Sequence, residues 1–198
     1  MLFSERNIHL SPLIHFCEPK YDVSLYIHEF YNSLSNLMYI YIGFLLHHHG
    51  YRTGLRVMIL GVCSFTFHST GHIVCEIFDE IYILGLLLDL IGEIRPLAKE
   101  MSLYPVVFLY SQAVLLKSFL IFEILCIYLT SMLISLMFRY RKIDINFVNS
   151  IVLMFVAKSF WILERIEQNG IYCYLHSYWH IFSAMSLGFG IISIENGH

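Results

Sequence analysis

Long apolar runs follow one another along this chain with only short charged breaks, near residues 27–48, 54–74, 77–94, 102–117, 119–138, 146–165 and 174–194. A membrane-spanning helix needs about 20 mostly apolar residues. Backbone polar groups in hydrocarbon must be satisfied within their own segment, so such a pattern folds as packed helices in a bilayer. Seven spans of about 20 residues fit within 198 residues and leave room only for short loops and ends. The fourth run is the shortest, and Lys117 parts it from the fifth with almost no loop, so six spans is the competing count. Composition agrees, with 58% hydrophobic and 14% charged residues and a mean hydropathy of +0.66. Soluble domains carry about 45–50% apolar and about 25% charged residues. A soluble globular domain and a disordered chain are both excluded on that ground. A nucleic-acid binder would carry a basic surplus, whereas this chain has 12 Lys+Arg against 15 Asp+Glu.

The sequence predicts one all-α integral membrane domain over residues 1–198, a seven-transmembrane helix bundle. Its orientation follows from basic residues in short loops. Arg52, Arg56, Arg95, Lys99, Arg139, Arg141 and Lys142 fall in the first, third and fifth loops, whereas Arg6, Lys20, Lys117 and Arg165 fall on the other side. The N-terminus is therefore expected to be lumenal or outside and the C-terminus cytoplasmic. Glu5 and Arg6 precede no long apolar stretch and no small-residue cleavage site, so no signal peptide is expected. The five cysteines are scattered with no CxxC and no disulfide-like spacing.

Ionisable residues inside spans are functional candidates by default. Ser64 and His68 are four residues apart and share a helix face at the end of the second span, and Glu76, Asp79 and Glu80 open the third. His176 and His180 open the last span at the i, i+4 spacing by which a helix presents two imidazoles to one metal. In the predicted topology all three histidines lie near the lumenal ends of their helices. Three neutral imidazoles with a fourth position left for water is how catalytic zinc is held. A lone span-end histidine is ordinarily interfacial and one HxxxH pair arises by chance, so the metal reading rests on the convergence. His72, four residues after His68, is the rival ligand, while the consecutive His47, His48 and His49 fan around a helix end. Glu29, Asn32, Ser33 and Asn36 form a polar stripe that is expected, with Ser35, to pack against neighbouring spans by hydrogen bonds.

Cys17-Glu18, Glu29 to Asn36, Ser64 to His68, Asp79-Glu80, Phe160-Trp161 and Leu175 to His180, in that order over nearly the whole chain, resemble the alkaline ceramidases. These are seven-span amidases of a wider zinc hydrolase superfamily that includes the adiponectin and progestin receptors. The resemblance implies that His68, His176 and His180 bind Zn2+, that Asp79 handles protons on the zinc water, and that Ser64 steadies the developing oxyanion. The implied reaction is hydrolysis of the ceramide amide to a sphingoid base and a fatty acid. The implied setting is the bilayer of the endoplasmic reticulum or Golgi, with ceramide or a related lipid as partner.

The family also has a calcium site made by an acidic residue, a Trp, a Cys-Glu, a nearby Asn and a later Glu. Here the first positions read His15-Phe16 and the Asn position is Lys20, so only Glu18 and Glu29 remain as carboxylates. Calcium takes six to eight oxygen ligands, which argues against Ca2+ and for the Lys20 ammonium as its substitute. Two other functions compete with the amidase. One is a seven-span receptor or scaffold with structural zinc; the other is a lipid ester hydrolase using the same site.

Overall fold

The computed structural model describes residues 11–141 and 143–196. Arg6 and Lys142, counted above for orientation, lie outside the described residues, as does most of the N-terminal stretch weighed as a signal peptide. The described chain is all-helical. Its helices are α1 (Phe30–Ser35), α2 (Leu37–His48), α3 (Gly54–Thr70), α4 (Ile73–Ile94), α5 (Pro96–Leu115), α6 (Phe119–Tyr140), α7 (Ile145–Glu167) and α8 (Leu175–Asn196), and a 3-10 turn over Gly170–Tyr174 leads into α8.

Local chemistry sets the helix ends. Gly71 closes α3 at φ 62°, a left-handed cap that glycine adopts without strain, and its N–H returns to the Phe67 carbonyl. Pro96 opens α5, where a missing N–H is harmless. The Asp144 carboxylate accepts the Phe147 N–H at 2.8 Å and caps α7. Lys117 takes φ 50° between α5 and α6, so the residue that left the fourth and fifth runs barely separated is the turn between two helices.

The first predicted span, 27–48, is two helices rather than one. Ser33 Oγ donates to the Glu29 carbonyl at 2.5 Å and Asn36 Nδ2 to the Asn32 carbonyl at 2.8 Å. Side chains that bond their own backbone compete with the helical ladder, and the chain tightens at Asn36, whose N–H bonds Ser33. The polar stripe expected to bond across to other spans bonds mainly within its own helix.

Helix α4 lies at the centre. Leu84, Leu88 and Ile91 face a core shared with Val106, Tyr110 and Ala113 of α5 and Phe122, Leu125 and Leu129 of α6. Leu86 and Leu90 face a second core with Tyr39 and Leu46 of α2, Val57 and Leu60 of α3, and Ala184, Ile191 and Ile194 of α8. A helix apolar on both faces is buried on both. Helix α8 packs on α7, α2, α1 and α4, which brings its first turns beside the end of α3.

Phe119–Tyr140, Ile145–Glu167 and Gly170–Asn196 are long and apolar enough to cross a bilayer. Helices α5, α6 and α7 expose large apolar side chains outward, among them Tyr104, Phe108, Leu120, Ile124 and Phe155. Water does not tolerate so extended an apolar surface, and this is a membrane protein. Arg56 and Lys99 both pair with Asp89, and Arg95 bonds Tyr140. Arg56 and Lys99, expected in the first and third loops, instead lie in the first turns of α3 and α5 and meet at the end of the bundle remote from the three histidines.

Helices α2 and α3 touch through glycine. A Cβ at Gly54 would lie 2.4 Å from the His47 backbone nitrogen, and one at Gly43 would lie 2.6 Å from that of Met58. Backbone cannot yield as a side chain tip can. Gly54→Val is therefore expected to destabilise the fold by at least the roughly 1–3 kcal/mol typical of overpacking, read as a lower unfolding temperature in detergent; an unchanged midpoint would contradict the close approach.

Candidate metal centre

His68 lies in the last turn of α3, and His176 and His180 lie in the first two turns of α8. Ring centroids are separated by 5.2 Å for His68 and His176, 4.8 Å for His68 and His180, and 4.4 Å for the α8 pair. One ring nitrogen from each lies within 4.8 Å of the other two, and all three residues are buried. The structure thus brings these three residues together. His72 is elsewhere in role: its Nδ1 accepts the Val74 N–H at 3.2 Å and caps α4. His47, His48 and His49 are exposed at the far end of α2.

The opposite ring nitrogens face oxygen. His68 Nδ1 lies 2.6 Å from Glu29 Oε2, and His180 Nδ1 lies 2.7 Å from Ser35 Oγ. His176 Nδ1 points toward Glu164 Oε2 at 3.6 Å, too far for a full hydrogen bond, and both atoms are otherwise unpartnered. Oxygen partners on Nδ1 fix tautomer and ring orientation and leave Nε2 for a metal. Two backbone bonds set Glu29 in place, since His28 and Glu29 donate N–H to the carbonyls of Ser69 and His68.

Ser64, one turn before His68, donates to Asp79 Oδ2 at 3.2 Å. Asp79 Oδ1 is buried with no hydrogen-bond partner. Both residues line a cavity of about 210 Å³ with the three histidines. Three buried imidazoles with an orphaned carboxylate oxygen nearby fit a borderline-soft cation such as zinc and not a hard one that asks for six or more oxygens.

The supposed calcium residues are engaged otherwise. Glu18 accepts the N–H groups of Tyr31 at 2.7 Å and Asn32 at 2.9 Å, so it caps α1. Burial pushes its carboxyl up from the ordinary value, and the two N–H bonds act against that shift. Lys20 Nζ lies against Glu29 Oε1 and donates to the Phe16 carbonyl at 2.8 Å, and Asn32 Nδ2 donates to Glu29 Oε2 at 3.1 Å. Added calcium, titrated at buffered zinc, is expected to leave turnover unchanged. Several-fold stimulation would show that the carboxylates still take the ion.

Sequence reasoning missed the strap that covers the site. The N–H groups of Leu13 and Ile14 bond the Glu76 carboxylate at 2.5 and 3.0 Å, and that of Cys17 bonds Glu164 at 3.1 Å. Phe16 lies on His176 with centroids 3.8 Å apart. Cys17 and Cys173, 156 positions apart, form a disulfide with a Cα separation of 4.6 Å, a pairing that their spacing in the chain does not indicate. Glu164 is a further residue that sequence reasoning missed, and Ser35, expected only to pack, meets a histidine instead. A carboxylate inside an apolar run was the available signal for the first, and Ser35 had none.

A family model described as Ceramidase matches residues 10–196. The chain belongs to the ceramidase family. Alkaline ceramidase 1 from Mus musculus is 27% identical over 214 residues, covering 91% of this chain and 78% of the relative. The Homo sapiens protein of the same name is 26% identical over 217 residues, covering 91% and 81%. In this ceramidase-family chain the matched span takes in the strap, Ser64 and His68 of α3, the carboxylates of α4 and the paired histidines of α8 alike.

Proposed function

We propose that this chain is a zinc-dependent intramembrane amidohydrolase that cleaves the amide of ceramide into a sphingoid base and a fatty acid. The observation that carries the proposal is the meeting of His68, His176 and His180 in one apolar cavity with Ser64 and Asp79. Family membership supports the reaction class and substrate. A seven-span bundle with a lumenal N-terminus, in the endoplasmic reticulum or Golgi, is the arrangement the apolar runs and basic loops favour.

The three imidazoles would hold zinc through Nε2, and the ion would supply Lewis acidity and a water acidified toward neutral pH. Asp79 Oδ1, buried and unpartnered, takes a proton from water in the cavity during attack and returns it to the leaving nitrogen. Ser64 Oγ–H now points at Asp79 Oδ2; rotation about its χ1 turns the donor to the carbonyl oxygen as that oxygen gains charge. Phe16 and the strap keep bulk water off the imidazoles.

The test is release of fatty acid and sphingoid base from a defined ceramide by purified protein, with chelator and then with zinc restored. Activity lost to the chelator and recovered with zinc is expected. No hydrolysis of any lipid amide by zinc-loaded protein would overturn the proposal, and cleavage of esters alone would reassign the substrate.

A further inference from the structure

The cavity contains polar groups that the proposed reaction does not use. Asp79 and Glu80 are consecutive on α4 and therefore point about 100° apart, yet both line the cavity. The Tyr110 hydroxyl of α5 donates to Glu80 Oε2 at 2.7 Å, while Glu80 Oε1 is buried with no partner in a residue only 3% exposed. From α7, the Lys158 ammonium lies 3.6 Å from Glu123 Oε1 of α6 and 3.5 Å from the Trp161 ring centroid. Lys158 and Glu123 stand within apolar runs, and both face the cavity. Ionisable groups are expensive at such depth and mark ligand paths.

We infer that Glu80 and Lys158 form a polar subsite that holds the hydroxyl groups of the sphingoid part of the substrate. The inference rests on the ceramide reading of the cavity. Glu80 Oε1 needs a donor, and Lys158 offers one. A hydroxyl both donates and accepts without bringing charge. A phosphate would meet the carboxylates of Glu80 and Glu123, and a bare alkyl chain would leave Glu80 Oε1 unsatisfied. Ceramides carry hydroxyls on the two carbons flanking the one that bears the amide nitrogen, so a substrate seated for cleavage has them within the same cavity. A site built to bond a hydroxyl rejects the analogue that lacks it far more strongly than a pocket rejects a missing methylene.

The chain's two tryptophans, Trp161 and Trp179, both line the cavity, so intrinsic fluorescence reads occupancy without turnover. The probes are four short-chain ceramide ureas, with urea in place of the amide: both hydroxyls present, either one deleted, or both deleted. Zinc-loaded wild type is expected to bind the dihydroxy probe about 100-fold or more tighter than the hydroxyl-free one. Glu80→Leu with Tyr110→Phe, which leaves no phenol unpaired, is expected to lose most of that preference while binding the hydroxyl-free probe as wild type does and keeping its metal. Tyr110→Phe alone should keep the preference. Lys158→Met with Glu123→Gln gives a second, independent reading if the first pair fails to fold, and the singly deleted probes identify the hydroxyl held. Equal wild-type binding of all four probes overturns the subsite, as does an undiminished preference in a folded variant. Discrimination without ceramide cleavage would keep the subsite and sink only the reaction; cleavage without discrimination would do the reverse.

Discussion

Asp79→Asn is expected to retain zinc and to lose nearly all turnover. The substitution keeps the shape of the side chain and, in its amide oxygen, an acceptor for the Ser64 hydroxyl that bonds Oδ2 of the aspartate, but removes a base from the cavity. Proton transfer by a placed side chain supplies about 10²–10⁴ in rate, and amide cleavage needs it twice, from the attacking water to the carboxylate and from that same group to the leaving nitrogen. Fatty-acid release under single-turnover conditions, beside elemental analysis of the same sample, separates this role from simple support of a ligand. Loss of metal in step with activity would mean that Asp79 only orients the site. Ser64→Ala should also keep the metal and lose roughly 10²–10³.

Replacing His68, His176 or His180 singly by alanine is expected to remove the metal and with it all activity. Each ring contributes one of three nitrogens, and two imidazoles seldom hold zinc against a chelator. The oxygens behind the rings should show a graded effect. Glu29→Gln is expected to weaken zinc about 10–100-fold, because a neutral amide orients His68 without raising its basicity. Ser35→Ala should cost less, since a hydroxyl was never charged. Competition with a zinc-buffering dye measures both. Full metal retention in all three alanine variants would end the zinc proposal.

The sequence made the histidines legible because a helix repeats its face every three to four residues and because span ends share a depth. His176 and His180 needed only the first rule; joining His68 to them needed the second. The oxygens behind the rings followed neither. Glu29 was legible as a carboxylate but not as the partner of His68, because that contact depends on backbone bonds from residues 28 and 29 to the end of α3. Ser35 looked like one member of a packing stripe, and both it and Asn36 do bond locally, to the Asn32 carbonyl. Glu18 carried the chemistry of a cation ligand, yet the nearest positive groups were the N–H ends of a short helix. Lys158 and Glu123 could have been flagged by charge alone, since each interrupts an apolar run; the shared cavity gives that charge a purpose.

The Cys17–Cys173 bridge closes most of the chain into a covalent ring that begins beside the metal ligands and ends just before them. Such a bond persists in oxidising compartments and is rare where glutathione and thioredoxin keep thiols reduced. It therefore serves as an internal compass. Independently of any count of lysine and arginine, it agrees with the lumenal side proposed above for the N-terminal end of the chain. A cross-link closing a ring of this size removes about 5 kcal/mol of chain freedom from the unfolded state in the loop-entropy account, so reducing agents should lower the unfolding temperature of the bundle as a whole.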